Sequence, residues 1–231
     1  MAHVRSETLD SIRVLRLDHG KANTISTEVA RMLSDELAKA AQDSSAVVLI
    51  GRPGMFSGGF DLATMQQGPA AAAEMLKAGG ALLAAMLDHP KPIVVACSGH
   101  AIAMGAFLAM AGDLRIGARG AFRIALVETA IGMTLPLFAI ELTRLRLSKR
   151  HYDRAVVHSE DHSPDAACDA GFLDRVVEPE ALEAEALAAA RRLAELKQPA
   201  FRNNKRLAHG ETIERIRRGL DADIDGLMKR S

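Results

Sequence analysis

The chain has 231 residues, 48% of them hydrophobic and 25% charged, with 29 Lys plus Arg balanced by 29 Asp plus Glu. That length supports one domain with a full core, and the zero formal charge supplies no field to draw the protein onto nucleic acid or an anionic membrane. A single Tyr and no Trp leave no basic surface interleaved with aromatics, which also argues against a nucleic-acid partner. The near-neutral balance permits self-association. Cys97 and Cys168 lie far apart without metal-ligand spacing to any histidine, so they read as small core residues of a reducing compartment, and no metal site is expected. The first residues form no apolar leader, and no run reads as the ~18 apolar residues a membrane span needs. No membrane association and a cytoplasmic location are the expectation.

In chain order, residues 11–17 alternate apolar and polar positions, as a strand with one solvated face does. After His19 and Gly20 comes a polar loop whose Ser26 or Thr27 can cap a helix over about 28–41, with Val29, Met32, Leu33, Leu37 and Ala40 on one face. The β-branched run 46–50 reads as a buried strand closed by Gly51, Pro53 and Gly54. Strand, helix, strand makes the two strands parallel neighbours. A loop follows, Met55-Phe56-Ser57-Gly58-Gly59-Phe60-Asp61-Leu62, in which paired glycines let backbone N–H groups approach a ligand and Asp61 can cap a helix at Leu62. Read alone, this octapeptide serves equally well as a connection without chemistry.

Residues 69–88 have helical spacing and stop at His89-Pro90. Residues 93–97 form a third buried strand, leaving through Ser98-Gly99-His100 toward Met104-Gly105 and an apolar helix as far as 111, and residues 112–117 form a fourth. The repeated β/α unit gathers its two glycine loops beyond the carboxyl ends of the strands, where ligands bind in such sheets. Glu128 then stands alone among apolar neighbours. Helices are predicted at 136–146, 149–157 and 163–170, a short strand at 172–177, and helix from 179 onward, with breaks near 198–199 and near Gly210. Residues 1–178 are expected to form an α/β core and residues 179–231 a helical region, to which the family resemblance given next assigns trimerisation and covering of the site. His100 reads as structural, and His151, His158, His162 and His209 as solvated.

Four places together resemble the crotonase superfamily, which includes the enoyl-CoA hydratases and isomerases: Lys21-Ala22-Asn23; Phe56 to Leu62 with Gly58-Gly59; Ser98-Gly99-His100-Ala101 with Met104-Gly105; and Glu128-Thr129-Ala130-Ile131-Gly132-Met133 before Pro136. The resemblance spans about residues 9 to 208 and implies a spiral of repeated ββα units with a mostly helical C-terminal region. It implies a coenzyme A thioester as substrate, no separate cofactor, and assembly as a trimer or a pair of trimers.

By the same resemblance, the backbone N–H groups of Phe60 and Met104 hold the thioester oxygen as it becomes an enolate, and Glu128 is the base. Substrate contacts fall on Lys21, Ala22, Phe56, Ser57, Gly58, Gly59, Asp61, Leu62, Gly105 and Phe107. Lys21 with Arg202 or Lys205 is a candidate for the coenzyme A phosphates, although Arg202 and Lys205 read by default as a solvated face. Hydratases of the family use two glutamates on one water, and the first falls here on Phe107, which neither accepts a proton nor orients water. One glutamate in an apolar pocket resembles the Δ3,Δ2-enoyl-CoA isomerases, and burial is expected to raise its pKa. The segment between Phe107 and Glu128 is one residue longer than the hydratase pattern, which bears on where Glu128 lands. The alternatives are a hydratase, another enolate-forming lyase or hydrolase, and a non-catalytic acyl-CoA-binding member.

Overall fold

The computed structural model describes residues 3–228. β2 (Ile12–Leu17) pairs antiparallel with β1 (Val4–Leu9) through a two-residue turn in which Asp10 and Ser11 take φ of 48° and 67°, as a tight hairpin requires. β1 leaves no apolar signature in the sequence, because it is an edge strand with most of its side chains in solvent. Ser26 caps α1 (Thr27–Asp43), accepting a hydrogen bond from the Val29 N–H at 3.2 Å. The chain then enters β3 (Ala46–Ile50), which lies parallel to β2.

β5 (Ile93–Cys97), β7 (Leu114–Ala118) and β9 (Arg175–Val177) extend the sheet in the order β1-β2-β3-β5-β7-β9, all parallel beyond the first hairpin. The two segments expected as glycine loops each contain a strand. β4 (Gly54–Ser57), β6 (Gly99–Ile102) and β8 (Ile124–Ala125) form a second, parallel sheet. They are too short and too glycine-bearing for a period of two to show. Each passage therefore runs through the large sheet, adds a short strand to the small one, and turns into α2 (Leu62–Met65), α4 (Met104–Met110) or the single 3-10 turn Thr129–Ile131. This is the expected repeated ββα unit.

α3 (Pro69–Leu87) is by length and composition apolar enough to cross a membrane, with a mean hydropathy of 1.4, contrary to the expectation that no run approaches a span. In the structure it is a core helix packed against α1 and α9 (Gln198–Met228). The helices predicted in the second half are found as α5 (Leu137–Arg146), α6 (Lys149–Val156) and α7 (Pro164–Ala170), the last capped by Ser163 and stopped at Gly171, with φ 101°. The predicted break at Gly210 is absent. Gly210 costs a helix about 1 kcal/mol relative to Ala, and the buried Ile213, Ile216 and Ile224, on the helix that packs on α3 and α5, outweigh it. The expected C-terminal cover falls partly on residues 229–231, which lie outside the described residues.

The large sheet sits between two apolar layers. One of its faces, with Leu15, Leu17, Leu49 and Val95, joins the core of α1, α3 and α4, while Ile12, Val14, Val48 and Val94 on the other meet Leu182, Ala186 and Ala190 of α8 (Leu182–Ala194).

Candidate active site

Close backbone packing brings the two glycine turns together. The Gly58 N–H donates to the Ala22 carbonyl at 2.8 Å, and Ile25 brackets the next residues, donating to the Gly59 carbonyl at 2.8 Å and accepting from the Asp61 N–H at 3.1 Å. This parallel bridge leaves the Phe60 N–H facing away from residue 25. A Cβ on Gly59, whose φ is 103°, would lie 3.0 Å from the Ile102 carbonyl oxygen and 3.7 Å from the Met104 nitrogen. One on Gly105 would lie 2.2 Å from the Ser57 carbonyl oxygen. Only glycine permits this approach.

Met104 opens α4, where a first-turn N–H has no partner in the helix. Ala103 before it holds φ 52° and ψ −120°, a conformation that a non-glycine residue rarely takes outside functional sites. Among the described residues, neither the Phe60 nor the Met104 N–H donates to a protein acceptor. Two unsatisfied donors thus stand on adjoining turns.

Beside them opens a cavity of about 1020 Å³. Gly58, Phe60 and Ala103 line it at the turns, and Leu62 and Ile131, 65% and 60% exposed, form its rim. Leu76, Phe107 and Phe138 line its buried end. Among the described residues, Glu128 is the one ionisable residue of the lining. It is 8% exposed, and its Oε2 has no partner among the described residues. Burial pushes its carboxyl up to about 7, as the apolar surroundings predicted. Although Glu128 precedes the 3-10 turn, its side chain makes no capping bond, so a helix-entry role does not account for it. The turn is tied down by the Met133 N–H on the Glu128 carbonyl at 2.8 Å and by the Ala130 N–H on the Ser159 hydroxyl at 3.2 Å. Phe107 and Glu128 line the same cavity.

The other candidates build the walls. Phe56 and Ser57 are fully buried behind the loop, not in the lining, and Gly105 serves the contact with Ser57. Asp61 caps α2, accepting from the Thr64 N–H at 3.0 Å and its hydroxyl at 2.8 Å. Although burial works against it, these bonds hold the Asp61 carboxyl below its usual range. Ala22 carries the carbonyl that anchors Gly58, and Lys21 is exposed beside it. Sequence reasoning gave Asn23 no role, yet it is buried at φ 53° and clamps the loop. It donates to the Leu17 and Phe56 carbonyls at 3.0 and 2.9 Å and accepts from the His19 N–H at 2.7 Å.

Four expectations are corrected here. Lys205 is neither solvated nor available to a phosphate, because it is buried against Asp113 at 2.8 Å and the Met86 carbonyl at 3.2 Å; Arg202 is exposed. His162 is buried, its ring 5.1 Å from that of Phe172, and burial lowers its pKa. His209 is half-buried, and Cys168 also sits only half inside. His100 is structural, accepting from the Arg123 N–H at 2.9 Å and standing edge-on to Phe122. Among the described residues, no three His, Cys, Asp or Glu side chains converge as metal ligands would.

The sequence profile of the Enoyl-CoA hydratase/isomerase family matches residues 7–229. The chain belongs to the enoyl-CoA hydratase/isomerase family. Its fold superposes on an enoyl-CoA hydratase/isomerase family protein from Pseudomonas syringae with a TM-score of 0.95 and 38% identity, covering 97% of this chain and 98% of that one. It is also similar to human mitochondrial delta3-delta2-enoyl-CoA isomerase, at a TM-score of 0.93 and 27% identity over 99% of this chain and 91% of the other. A putative enoyl-CoA hydratase of Thermus thermophilus is 31% identical over 196 residues, 82% of this chain and 77% of the relative. The chain spans only 18% of a peroxisomal fatty acid beta-oxidation multifunctional protein of Arabidopsis thaliana, with 32% identity over 136 residues. The enoyl-CoA hydratase/isomerase relatives bear out the crotonase resemblance and the α/β fold with its helical C-terminal region. They include hydratases and an isomerase, so the reaction has to be argued from the site.

Proposed function

We propose that this chain is a Δ3,Δ2-enoyl-CoA isomerase with Glu128 as its single base. The observation that carries the reading is that, among the described residues, Glu128 is the one ionisable group lining the cavity, which it shares with Phe107, the residue that the resemblance puts at the hydratases' first glutamate. The Glu128 carboxylate takes the proton from C2 of a 3-enoyl thioester. The electron pair passes onto the thioester oxygen, where the N–H groups of Phe60 and Met104 receive it. Such a donor in a dry site contributes about 3 kcal/mol to the transition state. The protonated Glu128 then returns the proton to C4, and the double bond comes to lie between C2 and C3. A carboxyl near 7 suits this cycle, because the same group must accept and give back one proton near neutral pH. Phe107 offers nothing to hold a water for attack. The same resemblance supports Lys21 as a contact for a coenzyme A phosphate and assembly as a trimer or pair of trimers.

The pH dependence tests the single-base reading. Proton removal needs the carboxylate, so kcat/KM for a 3-enoyl-CoA is expected to rise with pH through one ionisation near 7 and to fall about tenfold per pH unit well below it. A profile flat from mildly acidic to mildly alkaline pH contradicts Glu128 as the base.

A further inference from the structure

Phe138 closes the buried end of the cavity, and its position is fixed from behind. The ring is 2% exposed and meets Phe107, 1% exposed, edge to face with centroids 6.4 Å apart and planes at 88°. On the far side it rests on α3 where a glycine makes room for it: a Cβ on Gly80 would stand 2.7 Å from a Phe138 ring carbon and 2.5 Å from the Leu220 methyl of α9. α9 also holds the start of α5, since the Leu137 N–H donates to Asp223 at 2.6 Å and Gly219 lies against the Leu137 side chain. The ring is therefore wedged between α3, α4 and α9 and has little freedom to swing aside. Toward it the lining is apolar, with the exposed Leu62 and Ile131 at the open end and, among the described residues, Glu128 the one charge-bearing group.

We infer that Phe138 is a specificity-determining residue, the floor against which the tail of a plain hydrocarbon acyl chain ends, so that its ring limits the chain length accepted. The inference rests on reading the cavity as the acyl-CoA site. Each methylene that fits inside gains about fourfold in affinity, and one that meets the ring gains nothing.

Two substitutions of opposite sign test it. Phe138→Ala opens the floor, and Gly80→Ala drives the ring into the cavity. The readout is the dissociation constant of butanoyl-, octanoyl- and hexadecanoyl-CoA by titration calorimetry, which needs no turnover. Room for about two more methylenes raises the preference for the longest over the middle thioester at least about tenfold in Phe138→Ala. Gly80→Ala lowers the preference for octanoyl- over butanoyl-CoA. Should either variant fold poorly by circular dichroism, Phe138→Leu provides an intermediate shift in the direction of Phe138→Ala. Thioesters that bind with the same length profile in wild type and in each folded variant overturn the inference and leave the acyl-CoA reading standing. A wild type that binds none of them overturns that reading, and the inference with it.

Discussion

Glu128→Gln is expected to lower kcat for 3-enoyl-CoA isomerisation by about a thousandfold, within the range a positioned general base contributes. The amide keeps the shape and polarity of the side chain, so substrate binding changes far less than turnover, and the loss falls on kcat. A second readout separates this from damage to the fold. The folded carboxyl titrates near 7 against an ordinary value of 4.5, so between those values the folded state holds a proton that the unfolded chain has released. Stability accordingly falls as pH rises through that window, and above it the whole penalty of burying the charge is present. Glu128→Gln removes the penalty and is expected to be more stable than wild type at mildly alkaline pH, by up to about 3 kcal/mol. The advantage fades toward pH 4. Chemical denaturation at the two pH values measures it. A variant that is inactive and also less stable at alkaline pH contradicts the role of an unpaired buried base.

Lys205→Met is expected to destabilise the protein by about 3 kcal/mol, the scale on which removing one partner of a buried ion pair acts. Lys205 and Asp113 have side chains 5% and 11% exposed at 2.8 Å, and Asp113 also accepts from the Ile93 N–H at 2.8 Å. The pair joins α9 to the start of β5, and Lys205 anchors further to the Met86 carbonyl near the end of α3. Burial presses the lysine pKa down, and the adjacent Asp113 works against that fall. Met fills the space of the aliphatic stem, so the loss reports the stranded carboxylate rather than a cavity. The double variant Asp113→Asn with Lys205→Met should recover part of the loss in urea unfolding. A single variant within about 0.5 kcal/mol of wild type would place Lys205 among ordinary surface lysines.

What the sequence made legible was local. Ser26 and Asp61 each sit at a helix start, where a short oxygen-bearing side chain satisfies an orphan N–H, and each was readable from its immediate neighbours. The buried parallel strands β3 and β5 were equally readable as β-branched runs. β1 was not, because an exposed edge strand needs no apolar alternation, and β4 and β6 are hidden in glycine-bearing stretches whose pairing partners lie far along the chain. Glu128 was legible as a lone carboxylate in an apolar segment. That it shares a cavity with Phe107 despite the longer segment between them is a matter of tertiary placement that no local pattern carries. Asn23, Lys205 and Phe138 draw their importance from partners on other elements. Nothing within a few residues distinguishes Lys205 from the solvated lysines and arginines around it.

The most direct measurement gives the purified protein a 3-enoyl-CoA and, separately, a 2-enoyl-CoA, and identifies the products by chromatography. One carboxylate without a partner to hold water predicts that the first becomes the conjugated 2-enoyl thioester and the second gains no water. Formation of a 3-hydroxyacyl-CoA from the 2-enoyl substrate at a rate matching or exceeding isomerisation would contradict the single-base account.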